Sequence, residues 1–231
     1  LDIEFVIKKG EIYIFQIRKL AKLKKNIISI NKISDVLTNI NKKITKFKSK
    51  NTLNGKTSYF SNMSDWNPAE MLGNKPSYLG LTIYKELITN NIWSQQRKSY
   101  GYKDVSPYEL LISFAGSPYI DLRTDLNSFL PKNMPFKLGD KIINNSLNLL
   151  KKKPYLHDKI EFECINTCLS IDTKDKVKFL NKKEKNIYLN ELRKITNNAI
   201  NEKLLNKEIN NIKSFSKNLK EIKEKKINTI Q

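Results

Sequence analysis

Glu4, Gln16 and Arg18 put a carboxylate, an amide and a guanidinium near the start of the chain. The run Asp2-Ile3-Glu4-Phe5 leads into a short basic turn, Lys8-Lys9-Gly10. Tyr13-Ile14-Phe15-Gln16-Ile17-Arg18 follows. The β-branched and aromatic content predicts two strands joined by a tight turn. Glu4 and Gln16 are twelve positions apart, and folding at Gly10 brings them within reach. Arg18, two residues past Gln16, shares its face. These three groups on one sheet face suit Mg²⁺ and a polyphosphate. They also fit an ordinary edge hairpin with charged outer positions.

A second constellation lies in the middle of the chain. One part is Asp65-Trp66-Asn67-Pro68-Ala69-Glu70-Met71. The other runs from Ser117 through Asp121, Arg123, Asn127 and Ser128 to Pro131. Both set polar groups between aromatics and prolines, as loops that recognise small polar molecules do. Arg123 could grip a carboxylate or phosphoryl group with two hydrogen bonds. Asp65, Glu70 or Asp121 could hold an α-ammonium, and Asn67, Asn127 and Ser128 could read an amide. The same side chains fit helix caps and contacts between loops. Trp66 and Trp93 are expected in the core.

The opening hairpin resembles the last hairpin of the ATP-grasp domain in the pyruvate phosphate dikinase and phosphoenolpyruvate synthase family. There an Asp-Ile-Glu strand and a Leu-Gln-x-Arg strand close the nucleotide site; Phe15 departs from the aliphatic residue. The resemblance implies that Glu4 binds the metal, Gln16 binds metal or phosphate, and Arg18 contacts the γ-phosphate. The phosphate loop and lysines that precede such a hairpin are not in this sequence. The chain is therefore expected to be a segment of a larger protein, starting just before a domain boundary.

The middle sharpens the resemblance. Asp65-Trp66-Asn67-Pro68-Ala69-Glu70-Met71, Tyr84-Lys85-Glu86-Leu87-Ile88, Trp93-Ser94-Gln95-Gln96-Arg97 and Pro118-Tyr119-Ile120-Asp121-Leu122-Arg123 look like the central domain of dikinase-like L-glutamine kinases. His157-Asp158-Lys159-Ile160-Glu161-Phe162-Glu163 fits too, and the similarity spans roughly residues 1–170. Such enzymes act in making the phosphoramidate of bacterial capsules. The implied chemistry moves the β-phosphoryl group of ATP to a histidine on another domain, then to the amide nitrogen of L-glutamine. Arg18 and Arg123 are the implied catalytic residues, and Arg97 joins the implied substrate-binding set. His157, the single histidine, lacks a Thr-Ser-His context and is read as structural or as an acceptor-site acid or base. Open alternatives are a dikinase-like enzyme with another acceptor, a basic helical module for nucleic acid or an anionic surface, and an oligomerising domain.

The positioning elements follow from periodicity. The expected fold is mainly α with a small β part (α+β). Its divisions are the hairpin (1–20), a basic linker or helix (21–58), a central acceptor or docking domain (59–171) and a basic helical segment (172–231). Ile27, Ile30, Ile33, Val36, Leu37, Ile40 and Ile44 predict a helix through about Phe47. Asn51 to Thr57 reads as a loop around Asn54-Gly55. Asn67 and Pro68 read as a cap and first helical position. Thr82 to Tyr100 is expected as a helix, Pro107 to Phe114 as a short helix or strand, and Gly116 to Pro131 as loop. Residues 138–153 are expected as a helix and Lys159 to Ile171, where Ile160, Phe162 and Cys164 alternate with charged partners, as a strand. From Lys174 onward the chain is expected to be helical. Leu205, Ile209, Ile212, Phe215, Leu219 and Ile222 form a stripe suited to a helix pair.

Composition narrows the partners. The net charge is +20, but residues 60–147 hold 9 basic and 8 acidic side chains. Residues 1–59 carry +10 and residues 148–231 carry +9. Only four of the 43 basic residues are Arg, which argues against specific nucleic-acid reading. No apolar run predicts a membrane span. Cys164 and Cys168 have no further Cys or His to complete a zinc set, so they are expected as free thiols in a reducing cytoplasm.

Overall fold

A computed structural model describes residues 1–19, 30–48, 52–173, 175–200 and 202–228. The fold is mainly α with a small β part. It divides into two compact units, Leu1–Asn39 and Ile40–Gln231.

The first unit holds β1 (Asp2–Lys8) and β2 (Glu11–Arg18), which pair antiparallel. Lys9 and Gly10 both take left-handed backbone angles, with φ of 53° and 84°. Two successive positive-φ residues make the tight turn whose twist matches that of the strands. Helix α1 runs Ile30–Lys48, and the unit boundary falls within it. The predicted position Ile27 lies outside the described residues, as do Asn51 and Lys174.

The second unit is built around a three-stranded antiparallel sheet in the order β3 (Phe60–Ser61), β5 (Ser117–Asp121), β4 (Leu111–Phe114). Between β3 and β4 come α2 (Pro68–Met71), α3 (Tyr78–Tyr84) and α4 (Ile92–Tyr100). Asn67 caps α2 by accepting from the Glu70 N–H, and Pro68 begins it, as expected. The single helix expected over Thr82–Tyr100 is instead interrupted. A π-helical turn, Lys85–Thr89, separates α3 from α4. The weak helix formers Asn90 and Asn91 lie at this break, with Asn91 off helical geometry at φ −133°.

Gly116 to Pro131, expected as loop, forms β5 and α5 (Leu122–Ser128). Asp121 starts α5 by accepting from the backbone N–H of Arg123 at 3.0 Å and of Thr124 at 3.5 Å. All seven residues of α5 are buried. Helix α6 (Phe136–Lys152) packs on it and buries Leu138, Ile142, Ile143, Leu147 and Leu150. These residues recur at helical spacing, and each fully buried aliphatic side chain contributes about 1.5–3 kcal/mol.

The strand expected over Lys159–Ile171 is absent. A 3₁₀ turn (Pro154–Asp158), α7 (Ile160–Glu163) and α8 (Cys168–Thr173) occupy that region. Ile160 and Cys164 are buried while Phe162 is 67% exposed, so the inward spacing is four rather than two. A 3₁₀ turn (Asp175–Val177), α9 (Lys182–Ile200) and α10 (Glu202–Asn228) follow. Tyr188, Leu189, Leu192 and Ile195 of α9 join the main core. The described stripe residues of α10, Ile209, Ile212, Phe215 and Leu219, are exposed; the side chains of Leu205 and Ile222 lie outside the description.

Trp93 is 1% exposed and lies in the core as expected. Trp66 does not: it is 43% exposed. Its backbone is left-handed (φ 61°), and the Tyr84 hydroxyl donates to its carbonyl. A bulky residue held at positive φ is strained, so this loop is fixed by its surroundings. Among the described residues no helix is long and apolar enough to cross a membrane.

Candidate functional site

The polar groups that could act on a ligand fall in two places, one in each unit. In the first unit the strand register sets Glu4 directly opposite Gln16 and Asp2 opposite Arg18, with an irregularity between Glu4 and Phe5. The Arg18 guanidinium donates to Glu4 Oε1 and stands 3.4 Å from Asp2 Oδ2. All three predicted residues thus belong to one patch, with Asp2 added. Glu4 and Gln16 could supply two oxygens to Mg²⁺. Among the described residues no three His, Cys, Asp or Glu side chains converge to hold a metal. Two protein oxygens would leave the rest of an Mg²⁺ shell to water and phosphate oxygens, the usual habit of that ion.

In the second unit a cavity of about 430 Å³ opens beside α2, α5 and α7. Five carboxyl residues line it: Asp65, Glu70, Asp125, Asp158 and Glu161. Trp66, Asn67 and Phe129 add aromatic and amide surface. Of the predicted site residues, Asp65, Asn67 and Glu70 are brought together here.

Arg97 organises this cavity from behind. It sits in the last turn of α4 with its side chain 8% exposed. Nη1 donates to Asp125 Oδ1 at 3.0 Å and to Ser128 Oγ, and Nη2 donates to Asp65 Oδ2. The guanidinium also lies over Phe129, 3.8 Å from the ring centroid, where the aromatic face attracts a cation. Arg97 and Ser128 are therefore committed to internal hydrogen bonds behind the cavity lining rather than presented to a ligand. Burial pushes the Asp125 carboxyl well above the usual carboxylate range, and the neighbouring Asp65 carboxylate adds to that rise. Burial likewise pushes the Tyr84 hydroxyl up to about 12, so it stays a neutral donor to Trp66.

The expectation that Arg123, Asp121 and Asn127 meet a ligand gives way to an internal role. Arg123 Nη2 and Nε donate to the carbonyls of Leu53 and Asn54 at 2.8 and 3.1 Å. Asn127 accepts from the Asn54 N–H at 2.8 Å and donates to the Asn54 carbonyl at 2.9 Å. Asp121 caps α5 and accepts from Thr124 Oγ1 at 2.9 Å. Asp140 accepts from the Gly55 N–H at 2.7 Å, and Lys103 Nζ donates to Asn54 Oδ1 at 2.8 Å. Together they clamp the Leu53–Gly55 loop onto α5 and α6. Buried backbone polar groups need partners, and these side chains supply them.

His157 Nδ1 lies 2.6 Å from Ser61 Oγ, tying the 3₁₀ turn to β3. It borders a second, more apolar cavity of about 460 Å³ with Tyr59, Tyr119 and Leu122. Sequence reasoning passed over Asp125, Asp158 and Glu161 as cavity residues. Glu161 was hidden by the strand assignment over Lys159–Ile171, whereas the 3₁₀ turn and α7 put Asp158 and Glu161 at one cavity. The i, i+4 pair Ile160 and Cys164 was the available signal.

Compared with known protein families, with curated proteins and with solved structures, the chain matches none.

Proposed function

We propose that this chain is part of an ATP-dependent, dikinase-like phosphotransferase that phosphorylates the amide of L-glutamine. The observation that carries the reading is the register of the opening hairpin. Glu4 faces Gln16, and Arg18 reaches back to Glu4, which gathers a carboxylate, an amide and a guanidinium of the kinds that suit Mg²⁺ and the phosphates of ATP. On this reading the rest of the nucleotide site and the carrier histidine belong to other domains of the same polypeptide. ATP, L-glutamine and water give AMP, inorganic phosphate and L-glutamine phosphate. The β-phosphoryl group passes to histidine and then to the amide nitrogen, while the γ-phosphoryl group leaves as inorganic phosphate.

The test is ³¹P NMR of the full-length protein with ATP, Mg²⁺ and L-glutamine. AMP, inorganic phosphate and a new phosphoramidate resonance are expected. AMP and phosphate without that resonance, but with a phosphorylated product from another acceptor, would retain the dikinase plan and remove glutamine. ATP left intact by folded protein across a panel of acceptors would remove the phosphotransferase reading altogether.

A further inference from the structure

We propose that the second cavity, beside β3 and the end of α6, binds a small aromatic carboxylate. The proposal does not rest on the phosphotransferase reading.

The cavity measures about 460 Å³, in the range of small-molecule sites. Leu122 and Leu150, both buried, give it aliphatic surface. Tyr59 and Tyr119, both half-buried, add aromatic surface. Such a lining suits a planar apolar ring, which packs offset or edge-on against tyrosine.

The polar groups of the lining select what the ring carries. Lys151, in the last turn of α6, borders the cavity, and no Asp or Glu does among the described residues. Lys151 also has no ion-pair partner among those residues. Its ammonium therefore favours an anion. His157 supplies a second donor. The Ser61 hydroxyl accepts from the Met63 N–H at 3.2 Å and stands 2.6 Å from His157 Nδ1. Among the described residues Nδ1 is the one acceptor for the proton of that hydroxyl. Nδ1 thus accepts, the ring carries its proton on Nε2, and Nε2 has no partner among the described residues. A carboxylate has two oxygens, one for the Lys151 ammonium and one for the His157 N–H. An amino acid fits less well, because its ammonium meets no carboxylate here. A phosphate ester carries a second charge that one lysine leaves unmatched.

The experiment is NMR titration of the ¹⁵N-labelled full chain, without nucleotide, with phenylacetate, 2-phenylacetamide and phenyl phosphate. Phenylacetate is expected to shift amide signals of β3, β5 and the end of α6 with one site per chain. The uncharged amide should bind about tenfold more weakly, and phenyl phosphate no better than phenylacetate. Lys151→Met, an exposed change that removes no recorded hydrogen bond, should weaken phenylacetate about tenfold and leave the amide unchanged. Lys151→Arg should keep phenylacetate within a few-fold of the parent. The proposal is overturned if folded protein takes up no phenylacetate, or if the shifts map elsewhere. It is overturned equally if the amide binds as tightly, if Lys151→Met binds phenylacetate unchanged, or if phenyl phosphate alone binds. No nucleotide is present, so failure here leaves the phosphotransferase reading standing, and a protein that makes no phosphoramidate can still pass this test.

Discussion

Arg97 and Asp125 meet inside the second unit, with Nη1 3.0 Å from Oδ1 and side chains 8% and 0% exposed. The guanidinium comes from the last turn of α4 and the carboxyl from the first turn of α5. The same guanidinium reaches Asp65 at the cavity wall. One cation thus holds two carboxyl groups from different segments, and the shape of the cavity depends on it. Desolvating three such groups is costly, so the network stabilises only while it is complete.

Removing Arg97 alone should therefore be far worse than replacing the group as a whole. Arg97→Met is expected to destabilise the fold by about 1–3 kcal/mol, since it leaves the buried Asp125 and Ser128 side chains without their donor. Arg97→Met combined with Asp125→Leu should recover a large part of that loss. Urea unfolding midpoints measure both. Equal stability of Arg97→Met and the parent would show that the network is not buried as described.

The pH dependence of stability carries a signature of Asp125. Burial first, and then the Asp65 carboxylate, raise its folded pKa, while Arg97 opposes them. In the unfolded chain the group loses its proton near ~3.9. Between that pH and the raised folded value, the folded protein binds the extra proton. The stabilising contribution is then complete below the unfolded pKa and falls away as pH rises through the folded one. Asp125→Asn is neutral at every pH, so its stability should lack this decline. Unfolding free energies of the two proteins from about pH 4 to pH 8 make the comparison. Parallel curves would mean that Asp125 is ionised in the folded state.

Gly55 tests the loop clamp. Its φ is +85°, and an added Cβ would lie 2.6 Å from Ile143 Cγ2. Gly55→Ala combines backbone strain with a clash, and a loss of about 1–3 kcal/mol is expected. Thermal unfolding measures it, and an unchanged Tm would show that the loop can be lifted from α6 without cost.

The hairpin, the α2 cap and the α6 helix were legible because local rules govern them. Positive-φ turn residues, an Asn-Pro start and apolar residues at helical spacing each act within a few positions. Helix α5 was not legible, because Arg123, Thr124, Asp125, Asn127 and Ser128 are buried. A helix enclosed on all sides shows no polar face, and polar residues lead a sequence reader to assign a loop. The Ile160-Phe162-Cys164 alternation misled because three apolar residues fit two periods, and only burial reveals that Phe162 faces outward. Asp65, Asn67 and Glu70 were legible as a group because they share one short segment. Their partner Asp125 is far along the chain, and no local pattern joins it to them.

Cys164 should behave as an inert core thiol. It is 6% exposed, and burial pushes its thiol up to about 11, with a Ser146 hydrogen bond acting against the rise. The thiolate is the reactive form, so little of it is present at neutral pH. In a Cys168→Ser background, a thiol reagent near pH 8 is expected to label Cys164 only at the rate of unfolding. Rapid labelling of folded protein would mean that the α6–α7 contact opens locally.

Arg18 separates function from stability most cleanly. Its pairs with Glu4 and Asp2 lie at side chains about half exposed (53% for Arg18). Exposed ion pairs contribute little, about 0–1 kcal/mol, because water screens them and ordering both side chains has an entropic cost. Arg18→Met should therefore leave unfolding almost unchanged. A guanidinium that meets transferring phosphoryl charge is different, and losing such a group typically lowers turnover about 100-fold or more. In the full-length protein Arg18→Met is expected to lose AMP formation by that order while keeping the parent's unfolding midpoint. Arg18→Lys should restore only part of the rate, because an ammonium cannot reproduce the planar two-pronged grip on a phosphate. If Arg18→Met turns over ATP like the parent, the hairpin is an edge element with charged outer positions, and the phosphotransferase reading loses the observation that carries it.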